Sequence, residues 1–203
     1  MTSKTDICNR ALIKLGKDTI RNIDTDESQA STLCRAVYDT MLMEVLRQFE
    51  WNFAIVRQTL NRDMSDDPLF EWSYRFILPT IPQVIKILSV ENNVPFKIEG
   101  EFLVTNSDTI NLKYIGKIAD PNKYDVLFQE TLSLAIAKEI CFAMTSQTTL
   151  KDNLTKEYLF SLQNAKDANY NDTNEIPIQN NSWTNARIIG LSNSNIAFVD
   201  PNA

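Results

Sequence analysis

Apolar positions recur at helical spacing near both ends of the first 172 residues and alternate in between. The opening segment, residues 3–15, places Ile7, Cys8, Ala11, Leu12 and Leu15 on one helical face. Ser3 is a suitable N-cap, Asp6 falls in the first turn and Gly16 follows as a stop. A polar loop leads to Asp24 and Asp26, either of which could cap a longer helix ending near Glu50. Its stripe runs Ala30, Cys34, Val37, Met41, Val45 and Phe49. Leu33, Tyr38, Leu42 and Leu46 widen it beyond the ~100° of an ordinary surface helix, so this helix should touch partners on two sides.

The period then changes. Residues 51–60 are rich in aromatic and β-branched side chains, and residues 71–78 alternate as Trp72, Tyr74, Phe76 and Leu78 against Glu71, Ser73 and Arg75. Residues 84–90 form a β-rich run, residues 96–98 and 102–104 read as a hairpin around Gly100, and residues 110–118 form a further strand. Residues 52–119 are therefore expected to make one small, mostly antiparallel sheet. Helical spacing returns at Asp120, a good N-cap followed by Pro121. From Leu134 onward this third helix is apolar almost all round and should be the most buried element. A fourth helix over residues 149–172 carries Leu150, Leu154, Tyr158, Leu162, Ala165 and Ala168 in one stripe.

The expected architecture is α+β. The helices of residues 1–51 and 120–172 pair as a four-helix bundle, with the sheet of residues 52–119 inserted between the pairs. Residues 173–203 lose helical period and hold seven asparagines. Ile176, Ile178, Trp183, Ile188, Ile189, Leu191, Ile196, Phe198 and Val199 are nonetheless spread along them. A freely floating tail carries few such residues. This stretch reads as an extended arm that orders on a partner surface, the alternative being a strand or two folded back on its own domain. Trp183 is the expected anchor, followed by Arg187, Ile188, Ile189 and Phe198, facing a partner protein or a neighbouring subunit.

Composition narrows the function. The chain has no histidine, which removes Ser-His-Asp and Cys-His catalysis and every His metal ligand. Its 4 glycines are scattered, so no Gly-rich phosphate loop can form. Cys8, Cys34 and Cys141 are far apart in sequence and sit among apolar neighbours, as buried reduced thiols of a cytosol-made protein do. No charged-then-apolar leader precedes the first helix, so secretion is not expected. The net charge of −6 is no footprint for gripping nucleic acid, but it suits a surface that DNA passes without sticking. Asp63, Asp66 and Asp67 crowd one loop and could be imagined around Mg²⁺ or Ca²⁺, yet they lack the D-x-D-x-D-G spacing and read as a solvated turn. Lys138 and Glu139, in the most apolar helix, are expected to reach the surface, a neighbouring subunit or an opposite charge. No catalytic residue, cofactor or metal is expected, and binding or assembly is the default class.

Several strings point to a family. They are Asp6-Ile7-Cys8-Asn9-Arg10-Ala11-Leu12-Ile13-Lys14-Leu15-Gly16, Leu33-Cys34-Arg35-Ala36-Val37-Tyr38, Glu50-Trp51-Asn52-Phe53-Ala54, and Tyr74-Arg75-Phe76-Ile77-Leu78-Pro79. Tyr114-Ile115, Asp120-Pro121 and Phe128-Gln129-Glu130-Thr131-Leu132 follow. In this order the chain resembles the head-to-tail adaptor, or tail tubular protein A, family of short-tailed bacteriophages over about residues 4–172. The resemblance implies a non-enzymatic virion protein of the head–tail junction, made in the host cytoplasm. It implies a dodecameric ring below the portal protein that carries a tail nozzle or tube and surrounds the DNA channel, without sequence-specific DNA binding or membrane contact. Related adaptors reach the portal with C-terminal extensions. Trp183-Thr184-Asn185-Ala186-Arg187 resembles such tails loosely, and the Asn-rich continuation departs from them. The alternative is a soluble binding or assembly-chaperone module that docks through the same arm. A carboxylate-metal hydrolase built on Asp63, Asp66 and Asp67 ranks third.

Overall fold

The computed structural model describes residues 2–65, 68 and 70–172. They form four helices and two small antiparallel sheets, a mixed α+β fold. The arm of residues 173–203, with Trp183, Arg187, Ile188, Ile189 and Phe198, lies outside the described residues, as do Asp66 and Asp67.

Helix α1 spans Lys4–Lys14. Ser3 and Asp6 satisfy each other's backbone N–H groups in a capping box. At the other end Gly16 takes φ +65°, where an L side chain would be strained. Gly16 N–H then donates to Ile13 O and Lys17 N–H to Leu12 O, a Schellman closure. Helix α2 spans Gln29–Arg47 and starts later than the sequence predicts. Its cap is Ser28, whose hydroxyl accepts from Ser31 N–H, whereas Asp26 accepts from Ser28 N–H and so braces the cap from outside the helix.

A second cap also moves. Asp120 caps only a single 3₁₀ turn, Pro121–Lys123. Tyr124 is then extended, its hydroxyl donating to Ile118 O, and helix α3 (Val126–Thr145) begins afresh with Asp125 accepting from Leu127 and Phe128 N–H. Helix α4 spans Thr148–Asn171. Helix α3 packs against α1, α2 and α4. Its buried residues run in an unbroken block from Thr131 to Ala137, earlier than the all-round burial expected from Leu134 onward: beyond the block Glu139, Phe142 and Ala143 are exposed.

The β region holds two sheets rather than the single one expected. Strands β1 (Ile55–Thr59), β3 (Val84–Val90) and β6 (Asn111–Gly116) form one sheet in the order β1-β6-β3. Strands β2 (Tyr74–Ile77), β4 (Phe96–Glu99) and β5 (Phe102–Thr105) form the other, in the order β2-β5-β4. Alternation along a strand shows which residues share a face but not which strand is its neighbour, so pairings such as β1 with β6 are invisible in sequence. The hairpin of β4 and β5 turns at Gly100, whose φ of +62° suits the first central position of a two-residue hairpin loop.

The first sheet is a wall between two cores. On one face Ile115 and Ile55 join the helical core, where Trp51, Phe53, Tyr124 and Phe128 stack edge to face. On the other face Leu112 and Tyr114 meet Phe76 and Leu103 of the second sheet. At the end of the wall Gly116 permits close approach: a Cβ there would lie 3.1 Å from both Pro82 and Val56. Two clasps tie helices to the β region. Arg47 Nη1 donates to Ile85 O at 2.7 Å. Asn169, near the end of α4, exchanges hydrogen bonds with Glu50 and Asn52 where α2 gives way to the first strand.

Candidate interaction surfaces

Of the residues singled out for chemistry, the three cysteines, Lys138 and Asp63 prove to be engaged structurally. Cys8 and Cys34 face each other between α1 and α2, both fully buried. Their mutual hydrogen bond, reinforced by burial, holds the Cys8 thiol well above its ordinary range. Cys141 lies 3.6 Å from Thr145 Oγ1 and 3.7 Å from Gln147 O at the end of α3. A thiol must ionise to act as a nucleophile, and Cys8 is placed against that. Lys138 pairs with an opposite charge on another helix, as expected. Its Nζ is 3.6 Å from Glu44 Oε1 and 4.4 Å from the Tyr158 ring centroid, a cation–π contact. Burial pushes the Tyr158 hydroxyl up to about 12.

Asp63 is likewise occupied. Its carboxylate accepts from Ser65 Oγ at 2.6 Å and Ser65 N–H at 2.9 Å, and pairs with Arg75 Nη2 at 2.6 Å. The Ser65 hydrogen bonds, and then Arg75, lower its pKa to about 2. Among the described residues no group of three or more His, Cys, Asp or Glu side chains is placed to hold a metal ion. Among them, too, no helix is long and apolar enough to cross a membrane.

One open cleft, about 550 Å³, lies over the first sheet and is lined by Arg57, Thr59, Ser89, Glu91, Asn111 and Lys113. Arg57 and Lys113 are directly opposite one another on β1 and β6. Thr59 donates to Asn111, which donates to Glu91, so three of the polar groups satisfy one another. This is a polar, solvated face of a sheet whose other end is covered by helices.

The informative surfaces are apolar. On α4, Leu159 is 58% exposed and Phe160 70%, and Tyr170 is exposed about three turns further on. Ile13 of α1 and Val126 of α3 are exposed as well. At the edge strand β4, Phe96 and Ile98 remain 36% and 41% exposed. The stripe read from the sequence for the fourth helix stops at Tyr158 and resumes at Leu162. Leu159 and Phe160 fall between, and large apolar side chains off the buried stripe are the signal that marks an outward face. Of the five residues predicted to meet a partner, all lie in the arm and outside the described residues.

No family model matches the chain, and no curated protein matches it.

Proposed function

We propose that this chain is a structural head-to-tail adaptor of a tailed bacteriophage, assembling as a ring beneath the portal, joining capsid to tail and surrounding the DNA channel. It acts by contact alone and performs no chemistry. In this reading the four helices form one four-helix bundle, each copy's bundle meets its neighbours, and the arm carries Trp183 to the portal. The observation that carries the proposal is the outer face of α4, where Leu159 and Phe160 stand in solvent on a helix whose buried stripe is already satisfied by α3. Ile13 on α1 and Val126 on α3 are exposed as well. Exposed apolar residues on different elements of one subunit suit head-to-tail association, which closes into a ring when the rotation allows. The ordered strings shared with the adaptor family, and a negative subunit through which DNA could slide, support the same reading.

The test is assembly. Light scattering and negative-stain microscopy of the full chain, alone and mixed with portal, should show rings. Leu159→Asp combined with Phe160→Asp should leave a folded subunit that no longer forms them. A chain that stays monomeric at high concentration and with portal would overturn the proposal. Binding to some unrelated protein by that monomer would favour the docking-module alternative.

A further inference from the structure

The two edges of the β2-β5-β4 sheet are finished differently. The β2 edge is covered: Asp63 N–H donates to Arg75 O at 2.8 Å, Ile77 N–H donates to Asn61 O at 3.1 Å, and Arg62 bridges to Phe76. The β4 edge differs: among the described residues, the backbone of Phe96–Glu99 pairs with β5 and with nothing beyond it. Ile98 stands opposite Leu103 and Phe96 opposite Thr105, so both share the face on which Leu103 is completely buried. They point along the β core yet remain more than a third exposed, and among the described residues no strand lies beyond β4 to cover them. Lys97 and Glu99 pair at 3.1 Å on the opposite face and leave the apolar one unguarded.

We propose that this edge accepts, as a fourth strand, residues 195–199 of a second copy of the chain. A strand that completes the edge needs two apolar side chains at i and i+2, backbone N–H groups free to bond, and no charge. The arm holds three pairs of large apolar side chains at that spacing. Ile176 and Ile178 flank Pro177, which has no N–H to give. Ile189 and Leu191 flank Gly190, which weakens a strand. Ile196 and Phe198 flank Ala197 and are followed by Val199, within a run, residues 188–199, that carries no charged side chain. That pair mirrors Phe96 and Ile98 in spacing. Helix α4 ends at Asn171, and the chain from there to Ile196 spans roughly 80 Å when extended. The reach is about twice the length of α4 itself, ample to cross to a neighbouring copy.

The inference rests on reading the chain as a self-assembling subunit, and amide hydrogen exchange on the full chain separates the two. The outward-facing amides among Phe96–Glu99 should exchange about tenfold or more slowly in the assembly. Dilution to monomer should remove that protection, and so should Ile196→Asp combined with Phe198→Asp, with α3 exchange unchanged as the check that the variant is folded. Assembly with β4 amides equally fast in native and variant chains would overturn the strand and leave the ring standing. Protection that persists in the dilute monomer would show the strand comes from the chain's own arm, overturning exchange between copies. A chain that never self-associates would overturn both. Should the double variant not fold, the dilution series on the native chain decides alone.

Discussion

The helical core and the β core are built on opposite sides of one sheet and are finished to different degrees. The helical core closes around the middle of α3, which α1, α2 and α4 flank, with Trp51 Nε1 donating to Val45 O and the Phe128 ring 5.0 Å from Trp51 and 4.8 Å from Phe53. The β core is small, centred on Phe76, Leu103, Leu112 and Tyr114, and it opens at β4. Both use the same wall: Ile115 looks one way, Tyr114 the other. The difference teaches where each part of the subunit gets its stability. The helical side gets it from a core completed within one chain, and its exposed Leu159 and Phe160 lie off that core. The β side leaves the edge of its core itself exposed at Phe96 and Ile98, and apolar surface of either kind is what an assembly interface uses.

The largest expected effect comes from breaking the closed side. Phe128→Ala removes the ring at the centre of the aromatic stack and should cost about 3–5 kcal/mol in urea unfolding. A loss below about 1 kcal/mol would mean that the stack relaxes around the cavity and is not close-packed. Leu103→Ala is the matching change on the open side and should cost less, about 2–3 kcal/mol. It should speed amide exchange in β2, β4 and β5 while leaving α3 protected. Equal acceleration in α3 would show that the two cores unfold as one unit and that the wall couples them instead of separating them.

The helices were legible in the sequence because their burial follows a 3.6-residue period: the stripes read for α1 and α4 are the buried faces observed. Their starts were not. Asp26, Ser28, Asp120 and Asp125 are all good caps, and the choice among them depends on Asp26 bracing Ser28 and on Tyr124 breaking the chain after one turn. The strands were legible one by one through alternation. Their division into two sheets was not, because it depends on pairings between distant segments. The open β4 edge was hidden for the same reason. Phe96 and Ile98 look like core residues until it is known that β4 is the last strand of its sheet.

Gly116 sharpens the idea of a shared wall. Its Cβ position is 3.1 Å from side-chain atoms of Pro82 and of Val56, so Gly116→Ala requires those two side chains to give by a few tenths of an ångström. The expected cost is about 1–2 kcal/mol, read by thermal unfolding. Exchange should quicken near Val56 and Val84 first, at the end of the wall, and later at Leu112. A neutral substitution would mean that Pro82 shifts freely and that the wall is not tightly packed there.

The smallest effect concerns the covered edge, and its sign carries more than its size. Asp63 belongs to the segment that pairs with β2, and its carboxylate is held near pKa 2 against an ordinary value of 3.8. A carboxylate with a lowered folded pKa stabilises the fold above its unfolded value and loses that contribution as pH falls through the folded one. The window is therefore from about pH 4 down to about pH 2. The melting temperature of Asp63→Asn should fall below that of the native chain at pH 6, and the gap should close across this window. If the gap is the same at pH 6 and pH 2, the Ser65 and Arg75 contacts do not hold the charged form. The covered edge would then owe its cover to the backbone bonds of Asn61 and Asp63 alone, and the contrast with β4 would reduce to those two hydrogen bonds.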